Sequence, residues 1–264
     1  MPYVYVRGTG GLGNILFQVA SAIYYCENFG YTLCLEPNAT IAYGTSNAFG
    51  RTKSMQQDGQ PISYTKTIFS KILLSAVGDA RAIVNNHAET TRIVPDGNIE
   101  IAGYCQNIAL VVDMFAALPK YLELSDQNIK EYIATKYGDL TGAICIGVRV
   151  GEDFQHMKKI TVESYRRGIA HLRASGIQGP CYIIGDVSDY GLEASIDIKE
   201  PDIVQLYFGM ACSHYILSES TFHLWVAYLG TLGIDETEKT VICFNDTDIT
   251  NRGLNKPGWI TLDC

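Results

Sequence analysis

Val4-Tyr5-Val6-Arg7-Gly8-Thr9-Gly10-Gly11-Leu12-Gly13-Asn14, continued by Ile15-Leu16-Phe17-Gln18-Val19-Ala20-Ser21-Ala22-Ile23, reads as a buried strand, a glycine turn and a helix. Pro2 to Val6 is short, β-branched and aromatic, and it runs into glycines. Past Asn14 the apolar residues Leu16, Phe17, Ala20, Ile23 and Tyr24 recur at helical spacing. Glycines between a strand and a helix start let a diphosphate approach bare backbone N–H groups, where the helix dipole favours negative charge. This makes Gly10, Gly11, Gly13 and Asn14 candidates for binding a phosphate-bearing ligand. A tight βα turn that binds nothing is the other reading.

Gly8, Gly10 and Gly13 also satisfy the dinucleotide fingerprint G-x-G-x-x-G, with Tyr31 to Leu35 as second strand and Glu36 placed to hold a ribose. Asn14 and Gln18 go beyond that fingerprint. They lie four residues apart, on one helix face pointing from the turn. Asn14 is equally suited to capping the helix.

Working outward, the chain has 264 residues, enough for one large domain or two smaller ones, and 47% hydrophobic residues to fill cores. Net charge is −8 with only 18% charged residues. That balance disfavours nucleic acid as a partner, while leaving room for a local basic pocket that takes one anion. Met1-Pro2-Tyr3-Val4 lacks the basic start of a secretion signal, and no apolar run approaches the roughly 18 residues of a membrane span. The eight cysteines form no C-x-x-C and sit in apolar runs, which suggests reduced core thiols and a cytoplasmic protein.

Strands and helices alternate along the chain. Glu36 to Ser70 reads as a long loop. Asn98 to Tyr104 reads as a strand, Ile108 to Leu118 as a helix stopped by Pro119, and Ser125 to Tyr137 as a helix capped by Ser125. Gly138 to Thr141 reads as a linker between domains at 1–138 and 142–264. The rhythm restarts with strand Ala143–Val150 and helix Thr161–Ser175, followed by strand Pro180–Ile184 and helix Asp202–Met210. Strand Tyr215–Leu217, helix Thr221–Gly230 and strand Thr240–Phe244 complete it. Alternation of this kind predicts parallel sheets covered on both faces, with ligands at the carboxyl ends of the strands and a cleft between the halves.

Arg149 ends an apolar strand, a costly place for a charge unless an anion or an acid pairs with it. A guanidinium forks well onto phosphate, and Glu152 and Asp153 are the acids nearest in sequence. Ser220 and Thr221 precede another helix and offer hydroxyls and amides to an anion, or simply cap a core helix whose Phe222 and Trp225 are buried. No H-E-x-x-H, cysteine–histidine cluster or D-x-D is present, so no dedicated metal site is expected.

Together these stretches resemble the alpha-1,2-fucosyltransferase family, within the wider superfamily of GDP-fucose-dependent transferases. Gly10-Gly11-Leu12-Gly13-Asn14 with Phe17-Gln18 resembles the motif G-G-L-G-N-Q-x-F-Q, Ile15 replacing its second amide. Gly103-Tyr104-Cys105-Gln106 resembles G-Y-x-Q. Val148 to Phe154 resembles H-x-R-R-G-D-Y, with Gly147 at the histidine and Val150 at the second arginine. Tyr182 to Asp186 stands where the family has a strand ending F-S-D-D. Ser220-Thr221-Phe222-His223-Leu224-Trp225 resembles N-S-T-F-S-W-W, and Lys256-Pro257-Gly258-Trp259 resembles the closing P-x-x-W.

The resemblance implies a GT-B-like α/β enzyme, two Rossmann-type parallel-sheet domains facing a cleft. The first domain would take an acceptor glycan through Gln18, Tyr104 and Gln106. The second would take GDP-fucose, with the C-terminal tail packing back on the first. Donor binding would fall to Gly10, Gly11, Gly13, Asn14, Arg149, Asp186, Ser220, Thr221 and Phe222, and catalysis to Arg149, Glu152 and Asp153. Inverting transfer of L-fucose from GDP-fucose without metal or other cofactor would follow, in protein glycosylation among other settings. Two other readings stand beside it: an NAD-dependent oxidoreductase built on Gly8, Gly10, Gly13 and Glu36, and an inactive glycan-binding or scaffold protein, motivated by Gly147 and Val150.

Overall fold

A computed structural model describes residues 1–8, 10–36, 56–57, 60–61, 64, 67–75, 82–84, 96–149, 160–185, 191–192, 195–234 and 238–264. They form two compact units, Met1–Asp126 and Gln127–Cys264.

The first unit opens with β1 (Tyr3–Val6), α1 (Leu12–Phe29) and β2 (Thr32–Leu35). α1 begins three residues before the expected start at Ile15, with Gly11 at its N-cap, and closes on Gly30 in the left-handed conformation, whose N–H reaches Cys26 O. Thirteen of its residues are buried, so it is apolar nearly all round and covers the sheet. A hairpin of β3 (Gln56–Gln57) and β4 (Gln60–Pro61) follows, then β5 (Leu73–Leu74), β6 (Ala82–Val84) and β7 (Ile99–Ile101). The sheet order is β5-β2-β1-β7-β6, every pairing parallel.

α2 (Ile108–Met114) is capped by Asn107, whose side chain accepts Leu110 N–H. Pro119 does not stop a helix here. A 3₁₀ turn at Phe115–Ala117 leads into α3 (Leu118–Tyr121), with Pro119 in its first turn, where a missing N–H costs nothing.

The second unit starts with α4 (Gln127–Tyr137). Ser125 lies outside it, its N–H and hydroxyl both directed to Glu123 Oε1. The contacts thus divide the chain after Asp126, ahead of the expected linker. Then come β8 (Ile144–Val148), α5 (Val162–Ala174), β9 (Cys181–Gly185), β10 (Ser195–Asp197) and α6 (Asp202–Ala211). β11 (His214–Ile216), α7 (Thr221–Gly230), β12 (Thr240–Phe244), α8 (Asp248–Asn251) and β13 (Ile260–Leu262) complete it.

This sheet is also wholly parallel, in the order β10-β9-β8-β11-β12-β13. Counted within the unit, that is the doubly wound order 3-2-1-4-5-6. Its core joins Ile144, Ile146, Val148, Tyr165, Leu172, Ile183, Ile216, Ile242 and Phe244. The C-terminal tail is tied into this sheet: β13 pairs with β12, Arg167 donates to Asp263 O, and Asn245 donates to Asp263 Oδ1.

Candidate functional site

In a doubly wound sheet the chain leaves neighbouring strands in opposite directions at one point, and a crevice opens there outside their carboxyl ends. In the second unit that point lies between β8 and β11, paired from His214↔Ile144 to Ile216↔Ile146. Arg149 follows β8 directly, and Leu217 to Ser220 link β11 to α7. Two stretches selected separately in the sequence therefore meet at one place. Arg149 is half-buried and its Nε is wholly so.

Ser218, Glu219 and Ser220 are all buried. Ser220 is the N-cap of α7, in extended backbone, but its side chain makes no capping bond. The first-turn amides of a ten-residue helix and its positive end therefore meet the switch point beside Arg149. Thr221 and Phe222 form that first turn. Trp259 of the closing segment stacks on Tyr228 of the same helix, ring centroids 5.2 Å apart. Glu152, Asp153 and Asp186, expected at this end of the sheet, lie outside the described residues.

Three side chains from three helices hold the strand ends. Tyr165 Oη of α5 donates to Gly147 O at 2.9 Å. Gln205 Oε1 of α6 accepts Gly185 N–H at 2.8 Å, while its amide donates to Glu200 O. His223 of α7 is 1% exposed, and its Nδ1 lies 2.5 Å from Ser218 Oγ. Burial, and after it the Arg149 cation, push this imidazole down to about 3, so it is neutral at ordinary pH. His223 was not selected from the sequence. The one signal for it was Gly147, a glycine inside an apolar strand.

In the first unit the winding reverses between β1 and β7, and a second group of candidates gathers there. Gly10 has φ +93°, and a Cβ on it would stand 2.7 Å from Asn14 Nδ2 and 3.1 Å from Tyr104 Cε1. Gly11, by contrast, has φ −70° and open space where a Cβ would be. The requirement for glycine thus falls on Gly10, while Gly11 leaves a clear approach to the helix end. Asn14 is not the cap. It sits in the first turn, and its Oδ1 accepts from Gln106 Nε2 at 3.0 Å. Cys105, between Tyr104 and Gln106, has φ +48°, uncommon for a residue with a Cβ and a feature that gathers at functional turns. Tyr104 is 48% exposed beside this turn.

Gln18 is fully buried, and its Oε1 accepts Gly8 N–H at 3.1 Å. From the helix it braces the turn through that bond. Arg7 forks onto the buried carboxylate of Glu100 on β7, a pair not selected from the sequence. The bond to Glu100 raises the Arg7 guanidinium further above its ordinary value.

Among the described residues no group of three or more His, Cys, Asp or Glu is placed to hold a metal ion, and no helix is long and apolar enough to cross a membrane. All eight cysteines are unbridged and seven are buried.

Two parallel-sheet α/β units with sites at the strand ends are the fold of GT-B glycosyltransferases. No protein-family model matches the chain, and no curated protein matches its sequence. Solved structures do match. The fucosyltransferase NodZ from Bradyrhizobium has a TM-score of 0.54 at 13% identity, over 88% of this chain and 93% of its own. NodZ alpha-1,6-fucosyltransferase co-crystallised with GDP gives 0.51 at 13% identity, over 88% and 92%. The iron-containing dodecameric glycosyltransferase TibC from enterotoxigenic E. coli H10407 gives 0.51 at 15% identity, over 98% of this chain and 62% of its own. At these identities the likeness is one of fold.

Proposed function

We propose that the chain is a glycosyltransferase that moves L-fucose from GDP-fucose to a hydroxyl of a glycan acceptor, with inversion and in alpha-1,2 linkage. The observation that carries this reading is the switch point of the second unit, where Arg149 after β8 meets the N-terminus of α7 after β11. An arginine fork and a helix end are the two commonest protein means of holding a diphosphate. Solved relatives in fold that carry the name fucosyltransferase support the choice of donor.

The chemistry follows from charge. As the glycosidic bond breaks, negative charge grows on the departing diphosphate. A fixed guanidinium and oriented amides stabilise that charge more in the transition state than before it. Arg149, with the amides of Thr221 and Phe222, fills this role in the proposal, and Glu152 or Asp153 takes the acceptor proton. In the first unit, Tyr104 offers a ring face to a sugar, and Gly11 with the Asn14–Gln106 pair offers open backbone and amides. Transfer proceeds without a required metal in this reading.

A direct assay separates the readings. The chain is incubated with GDP-fucose or other nucleotide sugars and a panel of glycans, with and without chelator, and released GDP and product linkage are measured. GDP release with fucosylated product in the presence of chelator is expected. Product only after magnesium, manganese or iron is restored would overturn the metal-free step. NAD turnover without donor turnover would favour the dinucleotide reading, for which Glu36 does stand at the carboxyl end of β2, its N–H on Val6 O.

A further inference from the structure

We propose that His223 is the positioning residue for Arg149: its ring, carried on α7, occupies the space that two strand-end glycines leave open and fixes where the guanidinium stands at the end of β8. The importance of that placement rests on the reading of Arg149 as the arginine that meets the diphosphate.

The geometry is closed on both edges of the ring. A Cβ on Gly147 would run into His223 Cγ and stand 2.5 Å from its Nδ1. A Cβ on Gly185 would run first into Val148 O, and would also stand 2.9 Å from His223 Nε2 and 3.1 Å from Cε1. These glycines end neighbouring strands, with Gly147 beside Ile184 and Gly185 beside Val148. Their backbones are pinned from behind by Tyr165 and Gln205, so the open space has a defined shape. Ser218 Oγ at Nδ1 then leaves the ring one orientation.

Successive side chains of a strand alternate between faces, so residues 147 and 149 leave β8 on the same side. Since a side chain at 147 would meet His223, Arg149 departs on the face that His223 fills, one step nearer the strand end. Val148 goes to the opposite face, into the core with Tyr165. A neutral ring there fills the floor beneath the guanidinium without opposing its charge. The family motifs quoted above have histidine at the position of Gly147 and serine at that of His223.

The test uses the full chain and two readouts. The Hε–Nε cross-peak of Arg149, identified by its loss in Arg149→Lys, reports guanidinium placement with no ligand present. Calorimetry with GDP reports the site. His223→Ala is expected to move the Arg149 signal to the position of exposed arginines. It should also weaken GDP binding by about tenfold, the low end for groups that orient a binding residue from behind. Gly147→Ala should displace the ring and move the same signal, yet add little in the His223→Ala background, since both act through one contact. An Arg149 signal and a GDP affinity unchanged by His223→Ala, with only the melting temperature lowered, would overturn the proposal and make the ring simple packing. Should His223→Ala not fold, Gly147→Ala decides alone, and an unmoved Arg149 signal there overturns it. If wild-type chain binds no GDP while the Arg149 signal still follows His223, the positioning role stands and the proposed function fails.

Discussion

Gly10 and Gly11 are adjacent, and the structure asks opposite things of them. Gly10 needs a positive φ and has no room for a methyl group, whereas Gly11 has ordinary backbone and open space. Gly10→Ala is therefore expected to destabilise the fold by more than about 1 kcal/mol, because Ala is strained where φ is positive. Gly11→Ala should leave thermal stability within about 0.5 kcal/mol of wild type. Under the proposed function it should still weaken ligand binding. Denaturant titration of both variants checks the pair, and equal loss in both would contradict this geometry. The sequence made the glycines of the turn legible, but not which of them need glycine: Gly8 and Gly10 have positive φ and Gly11 does not.

The buried His223 and the half-buried His214 give a second expectation at this scale. His214 is lowered by burial and then by Lys239, and His223 is held near 3 by burial and then by Arg149. In both the folded state disfavours the proton, so the unfolded chain binds more protons below its own pKa of about 6.5. Stability is then fully present above that value and is lost as pH falls toward the folded value, at up to about 1.4 kcal/mol per pH unit for each group. The carboxylates Glu27, Glu123, Asp139 and Glu200 are shifted down as well and lose their share at lower pH. Urea unfolding at pH 6.5, 5.7 and 5.0 should show a smaller slope for His223→Gln than for wild type. Equal slopes would mean that His223 is not buried in its neutral form.

At the scale of elements, three side chains of α4 converge on a single carboxylate. Glu200 Oε1 accepts from Tyr132 Oη at 2.9 Å, Tyr137 Oη at 2.6 Å and Lys136 Nζ at 2.5 Å. Burial would raise this carboxyl, but those bonds outweigh it and hold it below its ordinary value. Tyr137 also meets Phe208 of α6 edge-on, at 5.1 Å between centroids. Glu200→Ala should cost about 1.5–3 kcal/mol, the range for hydrogen bonds to a charged group. It should also speed amide exchange across 127–137 ahead of the rest of the second unit. Unchanged protection of α4 would show that its apolar side, Ile129 and Ile133, suffices.

These contacts explain which elements the sequence showed. Helices with a clear apolar stripe and fully buried strands were legible near their true bounds, α5, α7, β8 and β12 among them. β5, β6, β10 and β13 were not: two or three residues carry no period, and an edge strand such as β10, with Ile196 exposed, carries little apolar signal. Pro119 was misread because proline breaks a helix interior but suits a first turn. The attachment of α4 to the second unit carries no local signal, since Glu200 lies 63 residues from Tyr137.

At the scale of the molecule, two parallel sheets were legible from the alternation of strands and helices, but their strand orders were not. The order places Arg149 and the Ser218–Ser220 segment at one switch point, although some 70 residues of chain separate them. It also shows that the glycine turn and Gly103 to Asn107 meet in the first unit. Sequence supplied the residues, and the winding of each sheet supplies the sites. What stayed hidden was chemistry borne by pairs, such as the Gly147 space filled by His223, since a glycine in an apolar strand does not say which distant side chain fills its space.

The central claim is that the second unit binds a nucleoside diphosphate through Arg149. Calorimetric titration of wild-type chain and Arg149→Ala with GDP, and with NAD as control, tests it most directly. Wild type is expected to bind GDP and not NAD. Arg149→Ala should lose roughly 1.5–3 kcal/mol of GDP affinity, as expected for charged hydrogen bonds to the anion, while keeping its fold. Equal GDP affinity in the two proteins, or binding of NAD alone, would contradict it.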